Sequence, residues 1–143
     1  INHGHSNLKI SARDIAKLGI LYLNGGRWGE KQVISSSWVK KSLKTHSYPN
    51  KGQFNPLKFY GFNGYGYQWW NSETVWKADL IYRKAWGMGK KLKSTLNIFA
   101  LGYQGQYIFI LPQLDMVVVF KSRFKKSRDN IIPKALIEEF ILN

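Results

Sequence analysis

The sequence predicts an α+β fold: an antiparallel sheet flanked by helices. Two observations carry this. Residues 107–111 (YIFIL) and 116–120 (MVVVF) are apolar at successive positions on either side of a turn from Pro112 to Asp115. An antiparallel strand with one wet face alternates apolar and polar residues, so strands that are apolar on both faces must be covered on both. Segments near the two ends of the chain carry helical spacing, and they can supply the covers.

Ser11-Ala-Arg-Asp14 reads as a helix start, with a hydroxyl to cap and an acid three residues on. Ile15, Leu18 and Tyr22 follow at helical spacing, and Asn24-Gly25-Gly26 closes the helix. A second helix is expected from Ser35 or Ser36, through Trp38, Val39 and Leu43, to about Lys44. Residues 47–63 read as a long loop. Gly64-Tyr-Gly-Tyr-Gln-Trp-Trp70 alternates small and large residues, which predicts a strand with Tyr65, Tyr67 and Trp69 on one face. Residues 71–97 read as an insertion or long connection, with Trp76, Tyr82 and Trp86 interleaved with charges. In the hairpin that follows, Tyr107, Phe109 and Leu111 point one way and Ile108 and Ile110 the other. A final helix, with Pro133 in its first turn and Leu136, Ile137, Phe140 and Ile141 behind it, can cover one face.

Composition sets the outer bounds. The chain has 143 residues, the size of one domain, and 44% hydrophobic residues suffice for a core. No run approaches the roughly 18 apolar residues of a membrane span. The net charge of +14 would attract nucleic acid, acidic polymers or anionic lipid. Its clusters, Lys90, Lys91 and Lys93 and then Lys121, Arg123, Lys125, Lys126 and Arg128, favour a solvated lysine-rich surface. Nucleic acid is disfavoured as a partner, because no recognition helix or aromatic RNA platform accompanies the charge in the sequence. There is no cysteine, hence no disulfide or thiolate metal site, and this does not choose a compartment. The chain opens on Ile1 without a basic-then-apolar leader, which suggests a piece of something longer.

Several short patterns could carry chemistry, and each has a plainer meaning. Ser6/Lys9, Ser37/Lys40 and Ser122/Lys125 have the Ser-x-x-Lys spacing that puts a nucleophile one helical turn from an amine able to take its proton. About one such spacing arises by chance in a chain this rich in both residues. Ser37 alone lies near a predicted helix start, where capping is its better-supported role. Tyr22-Leu-Asn24 is a helix end and Tyr48-Pro-Asn50 a turn signal. Gly4-His-Ser6-Asn-Leu8 lacks the second glycine of a nucleophile elbow. His3-x-His5 has no third metal ligand nearby, and His46 is isolated in a loop.

Taken as an ordered set, several stretches resemble the C-terminal half of the serine beta-lactamase-like hydrolases. That superfamily includes class C beta-lactamases, D-alanyl-D-alanine carboxypeptidases, related esterases and 6-aminohexanoate-dimer hydrolases. Residues 8–43 (LKISARDIAKLGILYLNGGRWGEKQVISSSWVKKSL) are similar to the family's Ser-Ala-Arg-Asp helix, its Asn-Gly-Gly cap and its Ser-x-x-Trp-Val helix. YGYQWW at 65–70 resembles its Tyr-Gly-Tyr-Gly-Trp-Trp strand, and GYQGQYIFILPQLDMVVVF resembles its Gly-Tyr-Gly-Gly-Gln hairpin. The likeness covers nearly the whole chain except about 71–97.

The resemblance implies the C-terminal portion of the beta-lactamase/transpeptidase-like fold, bacterial in origin, with residues 1–143 as a single fragment of one domain. Ala100-Leu-Gly102 would stand where many members carry Lys-Thr-Gly or His-Thr-Gly on the strand edging the active site. The backbone N–H of Tyr103 would be one of two oxyanion-hole donors, a role independent of the side chain. Gln104 would contact substrate, Gly102 and Gly105 would allow close approach, and Trp69 would line the same site. The nucleophilic Ser-x-x-Lys and the Tyr-x-Asn motif lie upstream of the Ser-Ala-Arg-Asp helix in the family, so here they would precede Ile1. Ala100 also removes the positive group that binds a substrate carboxylate, which tilts the parent towards an ester or amide substrate. The expected partners are therefore a small-molecule amide or ester in the full-length parent, the missing N-terminal part, and a second copy in a homo-oligomer. No cofactor is implied, and the family suggests the periplasm or cell envelope. The rival readings are a non-catalytic binding or assembly module and, behind it, a basic nucleic-acid-binding domain.

Overall fold

The computed structural model describes residues 8–48, 64–72 and 97–123, together with Pro133, Leu136, Ile137 and Ile141. In chain order the elements are α1 (Ala12–Leu23), β1 (Arg27–Trp28), β2 (Lys31–Gln32), α2 (Ser36–Leu43), β3 (Gly64–Tyr65), β4 (Trp70–Ser72), β5 (Asn97–Gly102), β6 (Gln106–Leu111), a 3₁₀ turn (Pro112–Leu114) and β7 (Met116–Lys121). β1 and β2 form a small hairpin. The other five strands form one antiparallel sheet in the order β3-β4-β5-β6-β7. The fold is thus α+β with antiparallel sheets. Among the described residues, no helix is long and apolar enough to cross a membrane.

α1 begins as its sequence dictates. The Ser11 side chain accepts a hydrogen bond from the Asp14 N–H at 3.1 Å and donates one to the Asp14 carboxylate at 2.6 Å. Lys17 pairs with the same carboxylate at 2.7 Å. These hydrogen bonds, Lys17 first and Ser11 next, hold the Asp14 pKa below its ordinary value. The helix ends at Asn24, and Gly25 and Gly26 follow at positive φ. Ile15 and Tyr22 face the sheet, but Leu18 is exposed. Its place against the sheet is taken by Gly19, which is buried; a Cβ there would lie 2.5 Å from a Val117 methyl and 3.2 Å from an Ile108 methyl. The missing side chain lets α1 lie close on β6 and β7.

α2 is capped by Ser35, whose side chain accepts from the Trp38 N–H at 3.2 Å. The helix thus starts where expected, whereas Ser37 is not its cap but sits inside the first turn, its hydroxyl donating to the Ser35 hydroxyl at 3.2 Å. Val39 and Ser42 are buried, whereas Trp38 is 45% exposed.

Residues 64–70 are not one strand. β3 and β4 are the two arms of a hairpin, with Gly64 opposite Asn71 and Tyr65 opposite Trp70. Gln68 adopts a left-handed φ of 67°, and the Gly66 N–H bonds to the Trp69 carbonyl at 2.7 Å. Gly66 runs so close under α2 that a Cβ would lie 2.1 Å from the Ser42 carbonyl. Alternation of small and large residues therefore reflects a tight turn against a helix, and Tyr65, Tyr67 and Trp69 do not share a face. Trp69 is buried while Tyr67 is 41% exposed. The buried Asn71 amide ties this hairpin to α2 by donating to the Leu43 carbonyl at 3.0 Å and accepting from the Thr45 hydroxyl at 3.0 Å.

The sheet centre has the two-sided apolarity read from the sequence. Phe99, Tyr107, Phe109 and Leu111 form one cluster with Ile137, and Leu101, Val118, Phe120 and Ile141 pack around it. Ile98, Ile108 and Ile110 form the other with Trp69, under Ile15, Tyr22 and Leu23 of α1. Pro133, Leu136 and Ile137 have helical backbone, and the Ile141 N–H bonds to the Ile137 carbonyl at 3.0 Å. Ile137 and Ile141 cover the sheet as expected, while Leu136 is exposed. Phe140, the loop over 49–63 and the connection with Trp76, Tyr82 and Trp86 lie outside the described residues.

Candidate functional site

The stretch from Ala100 to Gln106 is the end of β5, a three-residue turn and the start of β6. Gly102 pairs with Gln106, leaving Tyr103, Gln104 and Gly105 to reverse the chain. Gln104 (φ 57°) and Gly105 (φ 89°) both adopt left-handed backbone, the geometry of a short hairpin that ends in a glycine bulge. Glycine is the residue that takes such a φ without strain.

The far side of this turn is tied down by β7. The Gly105 carbonyl accepts from the Ser122 hydroxyl at 2.8 Å and from the Ser122 N–H at 3.3 Å. The Gln106 side-chain amide returns a bond to the Ser122 carbonyl at 2.5 Å. Ser122 thus serves as an anchor of the turn, which fixes the direction in which residues 103–105 project. Sequence reasoning missed this role, since only the β6–β7 register brings position 122 beside position 105.

The near side is open. Tyr103 is 87% exposed, and among the described residues its N–H donates to no carbonyl. A rigid turn presenting an unspent N–H can polarise a carbonyl oxygen or hold a developing oxyanion. It cannot supply a nucleophile. Gly102 is exposed, Gln104 half-buried and Gly105 buried, so three of the expected contact residues surround Tyr103 in one turn. Trp69 is elsewhere in character: it is 4% exposed, with its ring 4.6 Å from that of Tyr22 in the cluster under α1. Its visible work is packing.

The other patterns resolve into structure. Ser37 bonds to Ser35, and Ser122 bonds to Gly105. Ser6, Lys125, His3, His5 and Asn50 lie outside the described residues. Tyr22 packs on Trp69 and Asn24 caps α1. Among the described residues no three His, Asp or Glu side chains converge as metal ligands. His46 is not isolated: its Nε2 lies 2.7 Å from the Lys41 carbonyl, and its ring stacks on Tyr67. No protein-family model matches the chain.

Proposed function

We propose that this chain is the C-terminal part of a serine hydrolase of the beta-lactamase-like superfamily, and that it supplies the oxyanion side of an acyl-transfer site. The observation that carries the reading is the Gly102–Gly105 turn, held by Ser122 and offering the Tyr103 N–H. The ordered likeness of residues 8–43, 65–70 and 102–120 to that family supports it. So does the sheet, in which β7 has β6 as its single strand neighbour among the described residues.

In this reading the nucleophilic serine, its lysine and its tyrosine come from the upstream part of the same domain. The substrate is an amide or ester, and its carbonyl oxygen is held between the Tyr103 N–H and the N–H of that serine. The serine hydroxyl attacks the carbonyl carbon, its proton passes to the base and from there to the leaving nitrogen or oxygen, and the C–N or C–O bond breaks to release amine or alcohol. Water then hydrolyses the acyl-enzyme. Losing one oxyanion donor costs about 10²–10³ in turnover, so the turn is indispensable without bearing a reactive side chain.

The test compares this chain alone with the longer gene product that contains it, using a fluorescent penicillin and a nitrophenyl ester. The chain alone is expected to form no adduct and the longer protein to form one. Acylation of the isolated chain at Ser6, Ser37 or Ser122 overturns the reading, as does an upstream sequence without a Ser-x-x-Lys.

A further inference from the structure

Away from the β5–β6 turn, the fold assembles something the sequence keeps apart. Trp38 of α2, His46 beyond its end and Tyr67 of the β3–β4 turn come together as stacked rings. Tyr67 and His46 are 4.2 Å apart and nearly parallel, at 6°; Trp38 and Tyr67 are 5.6 Å apart at 25°. All three residues are exposed, Trp38 by 45% and Tyr67 by 41%. The group is held from beneath by main-chain bonds. The Tyr67 N–H donates to the Ser42 carbonyl at 2.8 Å, and the His46 ring bonds to the Lys41 carbonyl. Exposed aromatic surface this well positioned has a binding face at no further ordering cost.

The charge around it is of one sign. From Lys31 to Ser72 the sequence contains no Asp or Glu, and Lys40, Lys41 and Lys44 stand at the end of α2. Trp38 and Lys41 are one turn apart, on the same side of that helix. The apolar residues of α2 are turned away: Val39 is buried and Leu43 half-buried against the sheet side. Flat stacked rings without protruding aliphatic groups suit a planar ligand better than they suit insertion into lipid. The lysines nearby in sequence favour a ligand that carries negative charge at intervals.

We propose that Trp38, Tyr67 and His46 form an aromatic column for single-stranded nucleic acid, with bases laid on its outer faces at Trp38 and His46 and phosphates met by Lys41 and Lys44. Aromatic rings beside a basic track are the means by which single strands are bound without sequence readout. This site stands independently of any hydrolytic role, because it uses no residue of the Tyr103 turn.

The test is fluorescence anisotropy of a labelled fifteen-nucleotide oligothymidylate with the whole chain, against an abasic oligomer of equal length and against labelled heparin. Saturable binding that weakens with salt is expected. Trp38→Ala should weaken oligothymidylate binding at least about fivefold, the loss of stacking for one base, while Trp38→Phe retains most of it. Lys41→Gln and Lys44→Gln should each reduce the log–log salt slope by about 0.7. Trp38→Ala should leave the abasic and heparin affinities unchanged. Equal binding of oligothymidylate by the parent and Trp38→Ala overturns the proposal, leaving only diffuse attraction to the +14 charge. A Trp38-dependent preference for anionic vesicles or heparin over the oligonucleotide overturns it in favour of a lipid or polysaccharide surface.

Discussion

The strands of the central sheet place different side chains on its two faces, with rings prominent on one and isoleucines and valines on the other. One is aromatic: Phe109 lies 5.7 Å from Phe99, 5.9 Å from Tyr107 and 6.2 Å, edge-on, from Phe120. On the other the strands contribute Ile98, Ile108 and Ile110, and α1 comes closest at Gly19, beside Val117 and Ile108. Large rings fill much of the first face, and among the described residues Ile137 and Ile141 pack over them. On the second face the sheet side chains are smaller, and the helix itself must come close. One strand, β6, faces both environments through alternate residues.

The largest effect is expected where three ring contacts meet. Phe109→Ala removes a buried ring from the centre of the aromatic face, and such truncations cost about 3–5 kcal/mol. Ile110→Val, on the opposite face, removes one methyl group and should cost about 0.5–1.5 kcal/mol. Urea denaturation of both variants checks the contrast. If Phe109→Ala costs no more than Ile110→Val, the aromatic face is loosely packed and the two faces do not differ as described.

A smaller effect is expected at the close approach. Gly19→Ala gains roughly 0.5–1 kcal/mol of helix propensity but overfills a packed site, which costs about 1–3 kcal/mol. One Val117 methyl lies 2.5 Å and the other 3.3 Å from the added carbon, so Val117 must rotate or shift to admit it. Net destabilisation of about 1 kcal/mol should follow, and Val117→Ala in the same chain should recover part of it through a positive coupling in a double-mutant cycle. Additive losses would mean that α1 does not rest on β7 through Gly19.

The difference between the faces also marks what could be read in advance. The sidedness of β6 was legible because strand geometry turns alternate residues to opposite faces whatever surrounds them. The cap at Ser11 and the stop at Asn24-Gly25-Gly26 were legible for the same local reason. Leu18 was misplaced because helical spacing cannot report how near the neighbouring sheet comes, and Gly19 decides that. The Gly64–Trp70 segment misled because alternating glycines serve a tight turn as well as a strand; the Ser42 carbonyl beneath Gly66 selects the turn. Of the candidate site, the glycine step and Tyr103 were visible, whereas Ser122 and the stack of Trp38, His46 and Tyr67 depend on contacts between distant positions.

The smallest effect is expected furthest from either face, at the exposed start of α1. Ser11→Ala removes the cap and should cost about 0.5–2 kcal/mol, nearer the lower value at a solvated end. The pH dependence identifies its partner. Asp14 is depressed chiefly by its hydrogen bond from Lys17 and then by that from Ser11. A folded value below the unfolded one means that the contribution is present above the unfolded carboxylate pKa, near 3.9, and is lost as pH falls through the folded value. Parent and Asp14→Asn should therefore differ in urea midpoint at pH 6 and converge as the pH falls through the folded carboxylate pKa. A difference that persists undiminished in acid would show that the Asp14 carboxylate charge does not hold this helix end, and that the cap rests on the Ser11 hydroxyl alone.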